Sequence, residues 1–481
     1  MADSSLQLWP LIVGALDVPV ALWASAHAVL RKRDTRAATA WVGLIWLVPF
    51  LGAGLYVTFG INRVRRRARA LRLPRRSRAE RGATDAAVID HVTALGHSGL
   101  QSLRHAVDRI TGHPLLPGNQ LTPLDNGDQA YPAMLAAIDG ARTSVALATY
   151  IFDHDAVGER FLQALARATA RGVQVRVLID AVGARYSRPP VDRELRRLGV
   201  PVATFLPTRV PWQLPFVNLR NHRKLLVVDG RHGFTGGMNL RAGHAWSPPP
   251  SPKAVRDVHF ALRGPVVGQL MSAFAEDWVF TTGEALGGEG WFPPLAAAGT
   301  ALARGIEDGP DAEAPRLRQV LACAISVARR SITVVTPYFL PEAPLLTALG
   351  VAALRGVRVR ILLPQVNNLP YVQWASTALL WQVLQPGCEV WLTPAPFDHT
   401  KLVLVDDAWA LLGSANWDAR SLRLNFEFDV EVYDAAFTQE LAARVAQRLA
   451  GARRVTLAEV DGRRLPVRLR DGVVRLFAPY L

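Results

Sequence analysis

Cysteine is nearly absent: Cys323 and Cys388 are the only two in 481 residues. Two thiols cannot build a disulfide framework, and their scarcity points to a reducing compartment. No Cys, His or carboxylate spacing characteristic of a metal site stands out, so no metal and no cofactor are expected. A general excess of one charge is missing too. The formal charge is +15, but residues 31–81 hold 14 Lys or Arg against Asp34 and Glu80, which leaves little basic excess elsewhere. The bulk of the chain therefore lacks the charge of a nucleic-acid-binding body. Its length allows two or three domains, and a hydrophobic fraction of 50% fits a globular protein with some membrane-embedded segment.

Charge is missing altogether from Ala37 to Gly60, an apolar run of 24 residues. A first run, Leu6 to Leu30, is broken only by Gln7, Asp17 and His27. Each is long enough to cross a hydrocarbon core of about 30 Å at about 1.5 Å per residue. Trp9, Trp23, Trp41, Trp46 and Tyr56 supply interfacial rings. Arginines at 63, 65–67, 69, 72, 75, 76, 78 and 81 follow, a cluster expected to face the cytoplasm and attract anionic headgroups. The intervening loop from Arg31 to Arg36 is also basic. Two full spans would put it outside; a re-entrant hairpin bent at Pro49 would keep it inside.

The body repeats one plan. Ser144–Tyr150 reads as a strand, 158–171 as a helix and Val173–Asp180 as a strand. The same order recurs in Ser331–Pro337, Ala343–Arg355 and Val357–Pro364. Such βαβ units predict a largely parallel sheet in each half. Residues 281–315, rich in Gly, Ala and Pro, read as the connection, and Pro248–Pro252 as a loop confined to the first half.

Each half then carries one motif. His222, Lys224, Asp229, Gly236 and Asn239 recur at identical offsets as His399, Lys401, Asp406, Gly413 and Asn416. Apolar β-formers follow each Lys, so each motif is placed on a strand, where His and Lys share a face and Asp points away as a supporting residue. His222, Lys224, Asp229, His399, Lys401 and Asp406 form the candidate catalytic set. One imidazole can attack phosphorus while the other protonates the leaving oxygen. Lys224, Lys401, Asn239 and Asn416 would hold the phosphoryl oxygens. Asp257, 35 residues after His222, and Glu427, 28 after His399, lie in apolar contexts where a lone carboxylate is costly, and are expected to orient the imidazoles. His232, His244, His259 and Asp398 read as satisfied structural polar residues.

The doubled His-x-Lys-x4-Asp pattern with its Gly-(Gly/Ser)-x-Asn resembles the phospholipase D superfamily. The wider chain resembles the bacterial cardiolipin synthases within it, through Thr111–Pro114, Gly118-Asn119, Asn218–Lys224, Gly237–Leu240, Gly413–Ser421, Asn425–Glu427 and Tyr56–Gly60. The resemblance implies two similar α/β/α phospholipase D-like domains packed as a pseudo-dimer behind an N-terminal two-helix membrane hairpin. The expected divisions are an anchor at 1–62, a basic linker at 63–115, domain 1 at 116–284, a linker at 285–315 and domain 2 at 316–481. It implies transfer of a phosphatidyl group between two phosphatidylglycerols, giving cardiolipin and glycerol, with His222 attacking and His399 protonating. The expected partners are anionic phospholipid, phosphatidylglycerol, and the membrane, not nucleic acid. The expected location is the bacterial inner membrane with the catalytic domains cytoplasmic. The rivals are a phospholipase giving phosphatidic acid, a membrane-anchored nuclease and a non-catalytic scaffold. The intact His and Lys in both copies argue against the scaffold.

Overall fold

The computed structural model describes residues 3–32, 35–60, 82–207, 219–246, 254–310 and 315–478. The arginine block at 63–81, Pro248–Pro252, Asn218 and the Arg33-Asp34 pair lie outside the described residues. The chain divides into two compact units, one formed by 1–69 with 208–218 and the other by the rest.

In the first unit, α1 (Asp3–Arg31), α2 (Thr35–Leu47) and α3 (Pro49–Leu55) lead into a π-turn at Tyr56–Gly60. Ala21, Ala24 and Ala28 are buried with Ile45, Ala53 and Tyr56. The Tyr56 hydroxyl lies 2.7 Å from His27 Nδ1. The second apolar run is not one helix. Val48 leaves the helical region (φ −143°, ψ 77°) and Pro49 opens α3, because proline lacks the N–H and its ring obstructs a preceding helical turn. Among the described residues no helix is long and apolar enough to cross a membrane.

The second unit is built on a 16-stranded sheet with matched halves. The first half holds β1 (Leu116–Asp125), β2 (Ser144–Thr149), β3 (Gln174–Asp180), β4 (Val202–Phe205), β5 (Leu225–Val228), β6 (His232–Gly236) and β7 (Val258–Arg263). The second holds β8 (Ala301–Asp308), β9 (Ser331–Val335), β10 (Arg358–Pro364), β11 (Glu389–Thr393), β12 (Leu402–Val405), β13 (Trp409–Gly413) and β14 (Asn425–Tyr433), with β15 (Arg453–Val455) at the edge. The order is β15-β11-β10-β9-β12-β13-β14-β8-β1-β7-β6-β5-β2-β3-β4, and Arg220-Asn221 is a further short strand paired to β14. Each strand of the first half thus has its counterpart seven labels later.

Only part of each half is parallel. β2 pairs β3 and β3 pairs β4 in parallel, as β9, β10 and β11 do in the second half. The motif strands are antiparallel to their neighbours, so the sheet is mixed rather than largely parallel. The reason is the connection: helices cross over between the first strands, whereas tight turns join the motif strands.

Two segments expected as linkers carry structure. Within 285–315 lies β8, buried along its whole length and paired to both β1 and β14. It is the first strand of the second half. Its composition disguised it: Arg304 is fully buried, but Glu431 accepts from its Nε at 2.6 Å and Asp108 pairs with it as well. Within 63–115, helices Gly82–Ala94 and Ser98–Thr111 contribute Val88, Val92, Leu100, Leu103 and Val107 to the core of the second half. At the β1–β8 seam Gly118 takes φ +81°, and a Cβ there would meet Ala297 Cβ at 2.7 Å.

Candidate active site

Two short cross-ladders between the halves position the motifs. Arg220-Asn221 pairs in parallel with Asn425-Phe426, and Phe397-Asp398 with Val255-Arg256. The His222 N–H then donates to Phe426 O at 2.9 Å, and the His399 N–H to Arg256 O at 2.7 Å. Each imidazole is thereby held beside the acid that follows in the opposing strand. His222 Nδ1 lies 3.0 Å from Glu427 Oε2, and His399 Nδ1 lies 3.0 Å from Asp257 Oδ2. The pairs are exchanged between halves, contrary to the within-half spacings that drew attention to the acids. Both carboxylates are fully buried, while the imidazoles keep about a tenth of their surface open (12% and 11%). The Nδ1 contacts leave Nε2 of each ring for chemistry.

His222 and Lys224 lie in the extended stretch just before β5, and His399 and Lys401 just before β12, rather than within the strands. Lys224 Nζ donates to His222 O at 2.6 Å and sits 5.6 Å from the centre of the Tyr150 ring. Lys401 Nζ donates to His399 O. The chain has only four lysines, so half of them stand here. Burial pushes Lys224 down to about 7 and Lys401 down to about 8. Burial also lowers His222, against the pull of Glu427. His399 falls well below the usual imidazole value through burial, then the charges of Lys401, Lys224 and His222. The two half-sites therefore share one electrostatic field.

The acids differ. Burial pushes Glu427 up, but His222, Lys224 and a 2.6 Å bond from the Ser414 hydroxyl outweigh it and hold the carboxyl below its usual range. Asn425 Nδ2 donates to its other oxygen at 3.1 Å. Asp257 has His399 and one backbone donor, Val258 N–H at 2.8 Å, and burial pushes it up to about 6. The residue facing each acid explains the difference. Ser414 supplies a hydroxyl to Glu427; its counterpart is Gly237, where a Cβ would lie 2.5 Å from Asp257 Oδ2.

Asp229 and Asp406 do not point into this site. Each takes positive φ (52° and 54°) in the turn after its strand. Asp229 accepts from the N–H groups of Arg142, Thr143 and Ser144 and from the Thr143 hydroxyl. Asp406 accepts from Arg329, Arg330 and Ser331. They tie down the loops that open β2 and β9. Asn239 Oδ1 accepts from Ile151 N–H at 3.2 Å, which leaves its amide donors to point elsewhere. Asn416 is buried and its Oδ1 has no hydrogen-bond partner among the described residues. Among the described residues no group of three or more His, Cys, Asp or Glu could hold a metal ion.

Several neighbours lie outside the motif. The Tyr150 ring meets His222 edge-on at 5.2 Å, and the Tyr338 ring meets His399 at 6.3 Å. Their signal was faint: Tyr150 directly follows Thr149, the last residue of β2, and Tyr338 lies three residues past Val335, the last of β9. His244 lies 6.2 Å from His399. Among the described residues its Nδ1 and that of His259 have no hydrogen-bond partner, and burial drives both rings down to about 3, so neither is the satisfied polar residue expected. His232 contacts Arg263 and Asp398 pairs with Arg448, as structural residues do.

The family profile for the PLD-like domain of cardiolipin synthase matches residues 134–278 and 321–449. A phospholipase D-nuclease N-terminal profile matches 20–60. A cardiolipin synthase from Geobacillus thermodenitrificans is 32% identical over 94% of this chain and 90% of its own length. The major cardiolipin synthase of Bacillus subtilis is 31% identical over 94% and 95%, and cardiolipin synthase A of Pseudomonas putida 33% over 95% of each. A crystal structure of phosphatidylserine synthase from Haemophilus influenzae shares the fold, with a TM-score of 0.61 at 16% identity over 79% of this chain and all of that one. The chain belongs to the cardiolipin synthase family of phospholipase D-like proteins.

Proposed function

We propose that this protein is a phosphatidyltransferase that makes cardiolipin and glycerol from two molecules of phosphatidylglycerol. The observation that carries the mechanism is the crossed pair of imidazole–carboxylate contacts with unlike acids. Glu427, kept ionised, fixes His222 with its proton on Nδ1 and its lone pair on Nε2. That nitrogen attacks phosphorus, the bond to the glycerol oxygen breaks, and His399 Nε2 gives the departing oxygen its proton. His399 is the better acid because its surroundings disfavour the imidazolium. The hydroxyl of the second phosphatidylglycerol then returns that proton to His399 as its oxygen attacks phosphorus and the P–N bond breaks. Lys224, Lys401, Asn239 and Asn416 hold the equatorial oxygens.

The N-terminal helices support a membrane setting. Leu22, Trp23, Leu30, Leu47 and Leu51 are exposed, a surface suited to lipid rather than water. With the break at Pro49, this reading favours a shallow re-entrant hairpin on the cytoplasmic face of the inner membrane, the catalytic body on the same side. The deciding experiment incubates purified protein with labelled phosphatidylglycerol. Cardiolipin and glycerol in equal amounts are expected; phosphatidic acid alone would make the protein a phospholipase.

A further inference from the structure

The C-terminal helix, Leu465–Arg475, shows an exposed apolar stripe that none of the described residues covers. Leu465, Leu469, Val473 and Leu476 are 76%, 65%, 48% and 71% exposed, and Phe477 follows at the helix end. At about 100° per residue the first four fall within a sector of about 80°. The opposite side is fixed: Asp471 is buried, pairs with Arg463, and accepts from Arg470 at 2.7 Å, while the Arg470 guanidinium lies 4.1 Å over the Trp374 ring. The helix is therefore held to the body by Asp471 and Arg470 together with Val474 and Ala478, which pack on the core, and it offers a second apolar side outward.

Charge identifies what covers the stripe. Arg464 and Arg468 flank it, both exposed, and neither forms an ion pair among the described residues. No acidic residue is exposed on the helix itself. An apolar stripe bordered by cations matches an interface of acyl chains beneath anionic headgroups. A protein partner would leave those cations to be matched by a surface of its own. We infer that this helix seats the catalytic body on an anionic bilayer, its stripe inserted among the acyl chains and its arginines among the phosphates.

The position suits substrate entry. The helix packs on the helix Pro370–Thr377. Beside this lobe lies a cavity of about 160 Å³, lined by Val460 and Arg463 and by Tyr338, whose ring centre is 6.3 Å from that of His399. The inference extends the lipid-substrate reading to the surface that meets the lipid, and its test needs no turnover.

An environment-sensitive fluorophore on Leu469→Cys of the full-length chain is the probe. The native thiols interfere little: Cys388 is buried, Cys323 is half-buried, and burial raises both. In proteoliposomes of equal phosphatidylglycerol and phosphatidylcholine, blue-shifted emission and quenching by spin-labelled acyl chains are expected. Arg464→Gln with Arg468→Gln should weaken seating about 30-fold, at about fivefold per charge. Aqueous emission in those vesicles overturns the inference, as does equal quenching in pure phosphatidylcholine. So does a blue shift without lipid that follows protein concentration, which would mean that a second copy covers the stripe. Loss of cardiolipin formation with the quenching intact would count against the proposed reaction and leave this surface standing.

Discussion

His222 and Glu427 meet at 3.0 Å although 205 residues separate them. The contact exists because Asn221 pairs with Phe426 across the halves, so neither half holds a complete site. Glu427→Gln would remove the charge that fixes the His222 tautomer, and kcat should fall about 10²–10⁴-fold. Asp257→Asn should act on the other imidazole. With a p-nitrophenyl phosphodiester, whose leaving group needs no proton, Asp257→Asn and His399→Ala should keep a burst of nitrophenolate. Glu427→Gln and His222→Ala should lose it. A burst from His222→Ala would reverse the assignment of the two histidines.

The Gly237–Asp257 contact predicts a one-sided sensitivity. Gly237→Ser places a side chain where Asp257 Oδ2 already lies, and overpacking of this kind costs about 1–3 kcal/mol. The carboxylate must move off His399, and turnover should fall more than stability does. Ser414→Gly removes a donor to Glu427 without a clash and should cost about 1–3 kcal/mol of carboxylate stabilisation. Paired measurements of kcat and melting temperature on the two variants check this. Equal tolerance of both changes would show that the acids are not held as described.

The pH dependence has a sign. Attack needs neutral His222, whose value burial depresses, so activity is lost as pH falls through that lowered value. Protonation of the leaving oxygen needs charged His399, whose value burial and the lysine charges depress, and phosphate binding needs charged lysines, which burial pushes to about 7 and about 8, so activity is lost as pH rises through these groups. The alkaline limb of kcat/KM should therefore lie far below the ordinary lysine value of about 10.4. In kcat it should move upward, because a bound phosphodiester favours both ammonium groups. An alkaline limb near the ordinary value in both profiles would contradict the buried-lysine description.

The doubled motif made much of the site visible in sequence, since each copy served as a control for the other. What it could not give is set by distant pairing. The partner of each histidine depends on two-residue ladders between the halves, which leave no local pattern. β8 reads as a linker because Arg304, Glu307 and Asp308 look solvated, whereas Arg304 is met by Asp108 and Glu431 far along the chain and Asp308 by the N–H groups of Gly309, Arg316 and Leu317. Tyr150 and Tyr338 were missed for the opposite reason: they occupy neighbouring but unequal places in the repeat, so comparing the halves hides them. The second apolar run was visible as hydrophobic, and a bend at Pro49 was one of the two readings its length left open; the helix end that proline imposes is what the fold adds.

Asp229 gives a prediction that separates architecture from chemistry. Its carboxylate is held below the usual range because the bonds from Thr143, Ser144 and Arg142 outweigh its burial. Asp229→Ala leaves those donors without their acceptor and should cost about 1–3 kcal/mol. A group with a depressed folded value contributes stability that is present above its unfolded value of about 3.9 and lost as pH falls through the folded one. Urea unfolding should therefore separate wild type from Asp229→Ala at neutral pH, and the curves should converge in strong acid. At low temperature, where the variant stays folded, its kcat should remain within a few-fold of wild type. A loss as large as that of His222→Ala would place Asp229 in the chemistry, against the turn geometry that holds it at the far end of β5.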